Sequence, residues 1–132
     1  MFFIEKRVYF CDTDAEGVVY HSKYLDFCEQ ARTEFMIVKQ LSTKEIFLKY
    51  GIQYVIRKCE LEYKMPARFE DIVLITIDNI ELHGLTTTFT QSIIKKSTND
   101  LLAKVKIECV CVDKNFKLIR RLPEELINNM SL

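Results

Sequence analysis

A single change of hydrophobic period constrains this chain more than any other feature. From Ser22 onward, apolar residues recur as Tyr24, Phe27, Cys28, Ala31, Phe35 and Val38, the i, i+3, i+4 spacing of one amphipathic helix face. Charged Lys23, Asp26, Glu29, Arg32 and Glu34 fall mostly between them. After Gly51 the period drops to two: Cys59, Leu61 and Tyr63 alternate with Lys58, Glu60 and Glu62, as on the two faces of a strand. One long apolar helix followed by long strands leaves few ways to build a core. The reading is α+β: an antiparallel sheet of about five long strands wrapped around one long helix.

The expected strands are Phe3–Cys11, Ile52–Lys64, Ile72–Leu82, Thr86–Lys95 and Leu101–Val112, with a last short one near Leu118 and a ragged helix from Pro123. Ser42-Thr43-Lys44-Glu45 has the form of a capping box, so a short second helix is expected through Tyr50, with Gly51 as its C-cap. His83-Gly84 reads as a bend and Ser97-Thr98-Asn99-Asp100 as a hairpin turn. A sheet of this kind needs its edges covered; pairing two sheets edge to edge would cover one, so a dimer is expected.

The 132 residues fit one domain over 1–132, and a chain of this length buries roughly two thirds of its unfolded surface without disulfides or metal. Acids and bases balance at 19 each, which argues against a nucleic-acid binder driven by global charge. The five cysteines include no C-x-x-C pair, so they are expected as buried, reduced thiols. Met1-Phe2-Phe3-Ile4-Glu5-Lys6-Arg7 has no signal-peptide core, and the longest apolar runs, such as Ile72-Val73-Leu74-Ile75, are strand-sized. A cytoplasmic protein with no transmembrane segment is expected.

The chemistry concentrates in Asp12-Thr13-Asp14-Ala15-Glu16-Gly17-Val18-Val19-Tyr20-His21, between a strand-like and a helix-like segment. Three readings stand. Asp12-x-Asp14-x-Glu16-Gly17 has the opening of a calcium loop, but the position of the bidentate Glu holds Lys23; no metal site is expected. The acids and Gly17 also suit a turn that caps the following helix. Alternatively, amides at the helix start polarise a carbonyl while a carboxylate on the same turn attacks it or activates water.

The run from Arg7 through Asp12-Thr13-Asp14, Gly17-Val18-Val19-Tyr20-His21 and Tyr24 resembles the signature of hotdog-fold acyl-CoA thioesterases. Glu29-Gln30-Ala31-Arg32-Thr33-Glu34 and Tyr63-Lys64-Met65-Pro66-Ala67-Arg68, with Asp71, are similar to later blocks of the YbgC subfamily, related to 4-hydroxybenzoyl-CoA thioesterase. The resemblance implies hydrolysis of acyl-CoA to free acid and coenzyme A, the coenzyme being part of the substrate and no separate cofactor being needed. It implies Asp14 as nucleophile or general base, His21 beside the reacting carbonyl, an oxyanion hole of amides near Tyr20 and His21, and positioning roles for Gly17 and Tyr24. Arg57, Lys58, Arg68 and Thr86 are its candidates for coenzyme A contacts. It further implies a homodimer or a dimer of dimers, and an envelope-associated protein partner. The alternative is a non-catalytic acyl-binding protein serving envelope or phospholipid-synthesis machinery. Glu16 departs from the family's usual glycine, and would be strained if that position needed a positive φ.

Overall fold

The computed structural model describes residues 1–132. The helical stripe becomes α1, Lys23–Val38, and the capping sequence starts α2, Thr43–Tyr50. Ser42 Oγ accepts the Glu45 amide at 3.2 Å, satisfying one of the donors a helix start leaves open. Gly51 ends α2 at φ 68°, a left-handed conformation that costs little without a Cβ. The other elements are β1 (Phe2–Arg7), β2 (Gln53–Tyr63), β3 (Ile72–Ile77), β4 (Asn79–His83), β5 (Thr86–Lys95), β6 (Leu101–Val112) and α3 (Glu124–Asn129).

Every ladder is antiparallel, and the sheet runs β1-β3-β5-β6-β2, with β4 also paired to β5. The expected strand Ile72–Leu82 is thus two strands laid along one neighbour. Ile75 opposes Ile93, but Asn79 opposes Thr90, so the pairing slips by one residue. Asp78 is the extra residue, its amide donating to Thr90 O at 2.7 Å, as at a β-bulge. A second slip falls at Arg57 in β2.

Other expectations need correction as well. The first strand ends at Arg7, not Cys11, and Phe10–Asp12 forms a 3-10 turn. The cause is local: Asp12 Oδ2 accepts the Tyr9 amide at 2.9 Å, competing with the ladder. Leu118 makes only an isolated bridge to Val112. The thiols are not uniformly buried: Cys28, Cys109 and Cys111 are, while Cys11 and Cys59 are exposed, and all five are free.

Helix α1 packs on β1, β3 and β6. Its buried residues are Tyr24, Phe27, Cys28, Ala31, Arg32, Phe35 and Met36, meeting Ile75, Ile77, Ile93 and Ile107 in one core. Phe2 closes edge-on against Phe35, with centroids 5.5 Å apart. Truncating Phe27 or Phe35 to Ala would cost roughly 3–5 kcal/mol. Val38, expected on this stripe, lies exposed in the last turn beside the chain ends. Arg32, one of the charged residues spaced between the apolar positions, is buried. No helix is long and apolar enough to cross a membrane.

Candidate active site

Asp14 to Gly17 closes a tight hairpin. The Gly17 amide donates to Asp14 O at 3.0 Å and the Asp14 amide to Val18 O at 2.9 Å, while Gly17 sits at φ 81°. This is a type I turn followed by a left-handed bulge residue, with Asp first and Gly fourth as that turn prefers. The positive φ falls on Gly17 and not on Glu16, so the Glu16 departure carries no backbone strain. Thr13 bridges Val19 across the hairpin.

A third segment straps this hairpin to α1. The Val19 amide donates to Ala67 O at 2.8 Å, Val18 bridges Arg68, and the Ala67 amide donates to Tyr24 Oη at 3.1 Å. At the end of β2, Tyr63 Oη donates to His21 O at 2.7 Å and packs edge-on against Tyr24, with centroids 5.3 Å apart. Between these segments lies a cavity of about 300 Å³. Asp14, Val18, Val19, His21 and Tyr24 line it together with Tyr63, Lys64, Met65 and Pro66.

The half-buried Asp14 carboxylate is only partly used by the turn. Oδ1 accepts the Glu16 amide at 2.8 Å, and Oδ2 takes part in no hydrogen bond within the chain, so one face of the carboxylate is held and the other is spare. Tyr24 is buried, and burial raises its hydroxyl above the ordinary tyrosine value; the Ala67 amide opposes this, and the Asp14 and Asp71 carboxylates add to it. The phenol is therefore neutral, and its proton is left to donate. Burial likewise raises Tyr63, with Tyr24 beside it adding to the effect.

Asp14, His21 and Tyr24 are brought together as the sequence suggested; Gly17 shapes the turn without lining the cavity. Tyr20 requires correction as an oxyanion donor. Its amide is already given to Asp12 O at 2.9 Å, because α1 begins at Lys23 and residues 18–20 still belong to the hairpin leg. The His21 and Ser22 amides make no backbone hydrogen bond. The Tyr20 ring is exposed and lies 4.3 Å from that of His21. Asp12 is buried and spent on the Tyr9 amide, and no three acids, cysteines or histidines converge as a metal-holding group.

The four candidates for coenzyme A contacts do not line this cavity within the protomer. Arg57, on its bulge, pairs with Glu108 at 3.2 Å, and Lys58 pairs with Glu60 at 3.0 Å. Thr86 starts β5 opposite His83 and Val110. Arg68 is exposed two residues beyond Pro66, with its amide bonded to Asp71 Oδ2 at 2.9 Å. Tyr63 is the residue that reading the sequence missed as a site group; its signal was its place at the head of the Tyr63-x-x-Pro66-Ala67-Arg68 block.

Residues 8–130 match the family model described as the thioesterase-like superfamily. The acyl-CoA thioester hydrolase YbgC of Escherichia coli is 37% identical over 121 residues, covering 92% of this chain and 89% of that protein. The acyl-CoA thioesterase YbgC of Haemophilus influenzae is 32% identical over 107 residues, covering 81% and 77%. A 1,4-dihydroxy-2-naphthoyl-CoA thioesterase from Synechocystis superposes with a TM-score of 0.88 at 23% identity, covering 98% of this chain and 94% of that one. At that identity it speaks to the fold, which is the hotdog arrangement of an antiparallel sheet around a helix.

Proposed function

The chain belongs to the thioesterase-like superfamily, and from that premise we propose that it hydrolyses acyl-CoA thioesters to free acid and coenzyme A in the Asp14 cavity. The observation that carries this reading is the half-engaged carboxylate: Oδ1 is fixed by the Glu16 amide, Oδ2 is left without a partner, and Asp14 lines one cavity with His21 and Tyr24. Geometry held by backbone bonds needs little reorganisation when substrate arrives.

The reaction follows from those parts. Asp14 takes a proton from a water that attacks the thioester carbonyl, or attacks the carbonyl itself. Negative charge develops on the carbonyl oxygen, where the His21 and Ser22 amides act as donors; one such donor is worth roughly 3 kcal/mol. The Tyr24 phenol and His21 ring orient the acyl end. Collapse of the intermediate breaks the carbon–sulfur bond, and the thiolate of coenzyme A leaves. On the general-base route it takes the proton that Asp14 drew from water. On the nucleophilic route water then cleaves the acyl–Asp14 anhydride, giving the free acid, restoring the Asp14 carboxylate and supplying the proton for the thiolate.

Arg57, Lys58, Arg68 and Thr86 then belong to the nucleotide end, on the surface of this protomer or facing the cavity of another. β2 is an edge strand of 11 residues with mostly exposed side chains, and its unpaired ladder groups are a template for a second copy. A homodimer, or a pair of dimers, covers that edge; light scattering measures it. The central test is thiol release from acyl-CoA substrates of increasing chain length. Turnover on at least one length is expected, and binding without release at every length would leave a non-catalytic acyl-binding protein instead.

A further inference from the structure

Arg32 is a charge in the wrong place for a solvated helix face. It is 8% exposed on the sheet side of α1, and it takes part in none of the chain's ion pairs. A guanidinium stays charged and carries five donors. One of these, on Nη1, reaches Gln91 Oε1 at 2.9 Å. Gln91 is itself fully buried and fixed, its Nε2 donating to Cys28 O at 3.1 Å and Thr76 O at 3.2 Å. The face of Phe89, 5.9 Å from the guanidinium carbon, offsets part of the burial cost. Buried cations otherwise need an anionic partner, since an unpaired one costs several kcal/mol.

A second cavity, of about 160 Å³, opens beside this group. Met36, Tyr54, Phe89 and Cys109 wall it, and Ile56, 52% exposed, stands at its rim. Arg32 is the only charged residue lining it. The Tyr54 hydroxyl and its neighbour Thr87 Oγ1 are both buried without a well-formed hydrogen bond, so a wall polar group is also under-satisfied. No residue is shared with the Asp14 cavity.

We propose that this cavity binds short aliphatic monocarboxylates, with the carboxylate seated on Arg32 and the hydrocarbon along Met36, Phe89 and Ile56. One buried positive charge matches one negative charge, which favours a monocarboxylate over a phosphate dianion. A guanidinium fork fits the two carboxylate oxygens, and the apolar walls favour a hydrocarbon tail over an inorganic ion. Gln91 holds the fork from behind, so its orientation is set before the ligand arrives. The proposal does not rest on the thioesterase reading. Where that reading holds, the ligand has the chemistry of the acid that the reaction releases, bound away from Asp14.

Calorimetric titration of the full chain with hexanoate and with 1-hexanol tests the charge. Saturable hexanoate binding is expected, with hexanol at least tenfold weaker. Arg32→Met, a replacement that buried ion sites often tolerate, should weaken hexanoate at least tenfold; Asp14→Asn should leave it unchanged. Equal affinity for hexanol, or hexanoate binding that survives in Arg32→Met and is lost in Asp14→Asn, overturns the proposal. So does absence of hexanoate binding; if Arg32→Met then also dissociates an oligomer, a second copy supplies the anion. Loss of thiol release in the assay above leaves these outcomes unaffected.

Discussion

Asp14 and Asp78 are both half-buried carboxylates at irregular points of the backbone, yet they are spent in opposite ways. Asp78, at the break between β3 and β4, is saturated. Its Oδ1 accepts Thr76 Oγ1 at 2.6 Å, and its Oδ2 accepts Ser92 Oγ at 2.5 Å and Lys104 Nζ at 3.0 Å. Burial alone would raise its carboxyl, but the bonds from Ser92, Thr76 and Lys104 outweigh that and hold it below the ordinary aspartate value. Asp14 accepts one backbone amide, leaves its other oxygen without a partner in the chain, and lines a cavity. The difference teaches that burial and irregular backbone do not by themselves mark a reactive acid. What marks one is unused hydrogen-bonding capacity facing space.

The comparison predicts separable losses. The largest is in Asp14→Asn: turnover on acyl-CoA falls about 10²–10⁴-fold. The amide oxygen of Asn still accepts the Glu16 amide, so the hairpin and the melting temperature persist. Wild-type turnover in that variant, measured by thiol release, would break the contrast. Asp78→Asn should do the reverse, costing about 1.5–3 kcal/mol in urea unfolding while KM and kcat stay close to wild type. Its pH behaviour sharpens the point. Because the folded carboxyl is shifted down, its stabilisation is present above the unfolded value of about 4 and is lost as pH falls through the folded value. Wild type should therefore lose more stability than Asp78→Asn between neutral pH and pH of about 3. The smallest effect is expected in His21→Ala, about tenfold in kcat, or about 1.4 kcal/mol. The backbone amide of residue 21 and the carbonyl held by Tyr63 survive that change and only the ring is lost. A larger loss than in Asp14→Asn would reverse the assignment of roles.

What the sequence made legible was whatever neighbouring residues decide. The stripe from Tyr24 to Phe35, the Ser42 cap and the Gly51 stop are local patterns; the stripe and the stop formed as read, while of the capping box only the Ser42 half formed, with no bond back from the Glu45 side chain. The Asp-x-x-Gly turn was legible as a turn, but its residues alone left metal, structural and catalytic readings open; family resemblance singled out Asp14. The break at Asp78 was not legible, because Ile72–Leu82 is strand-like throughout and the bulge is set by partners at Thr90, Ser92 and Lys104. The burial of Arg32 was not legible for a similar reason. Helical spacing put it between apolar positions, whereas the buried Gln91 that receives it lies 59 residues away. The role of Tyr63 depends on meeting His21 O, 42 residues back along the chain.

The backbone of Ala67 bears on how the site is lost and gained. Its carbonyl holds Val19 and its amide holds the Tyr24 hydroxyl, so the two peptide groups flanking one residue tie the acid hairpin to the helix it feeds. A nascent chain that has not yet emerged through this residue has the motif but no cavity. Loss of turnover on mild denaturation would accordingly be an early signal, since displacing the segment around Ala67 undoes both bonds while the sheet ladders stand.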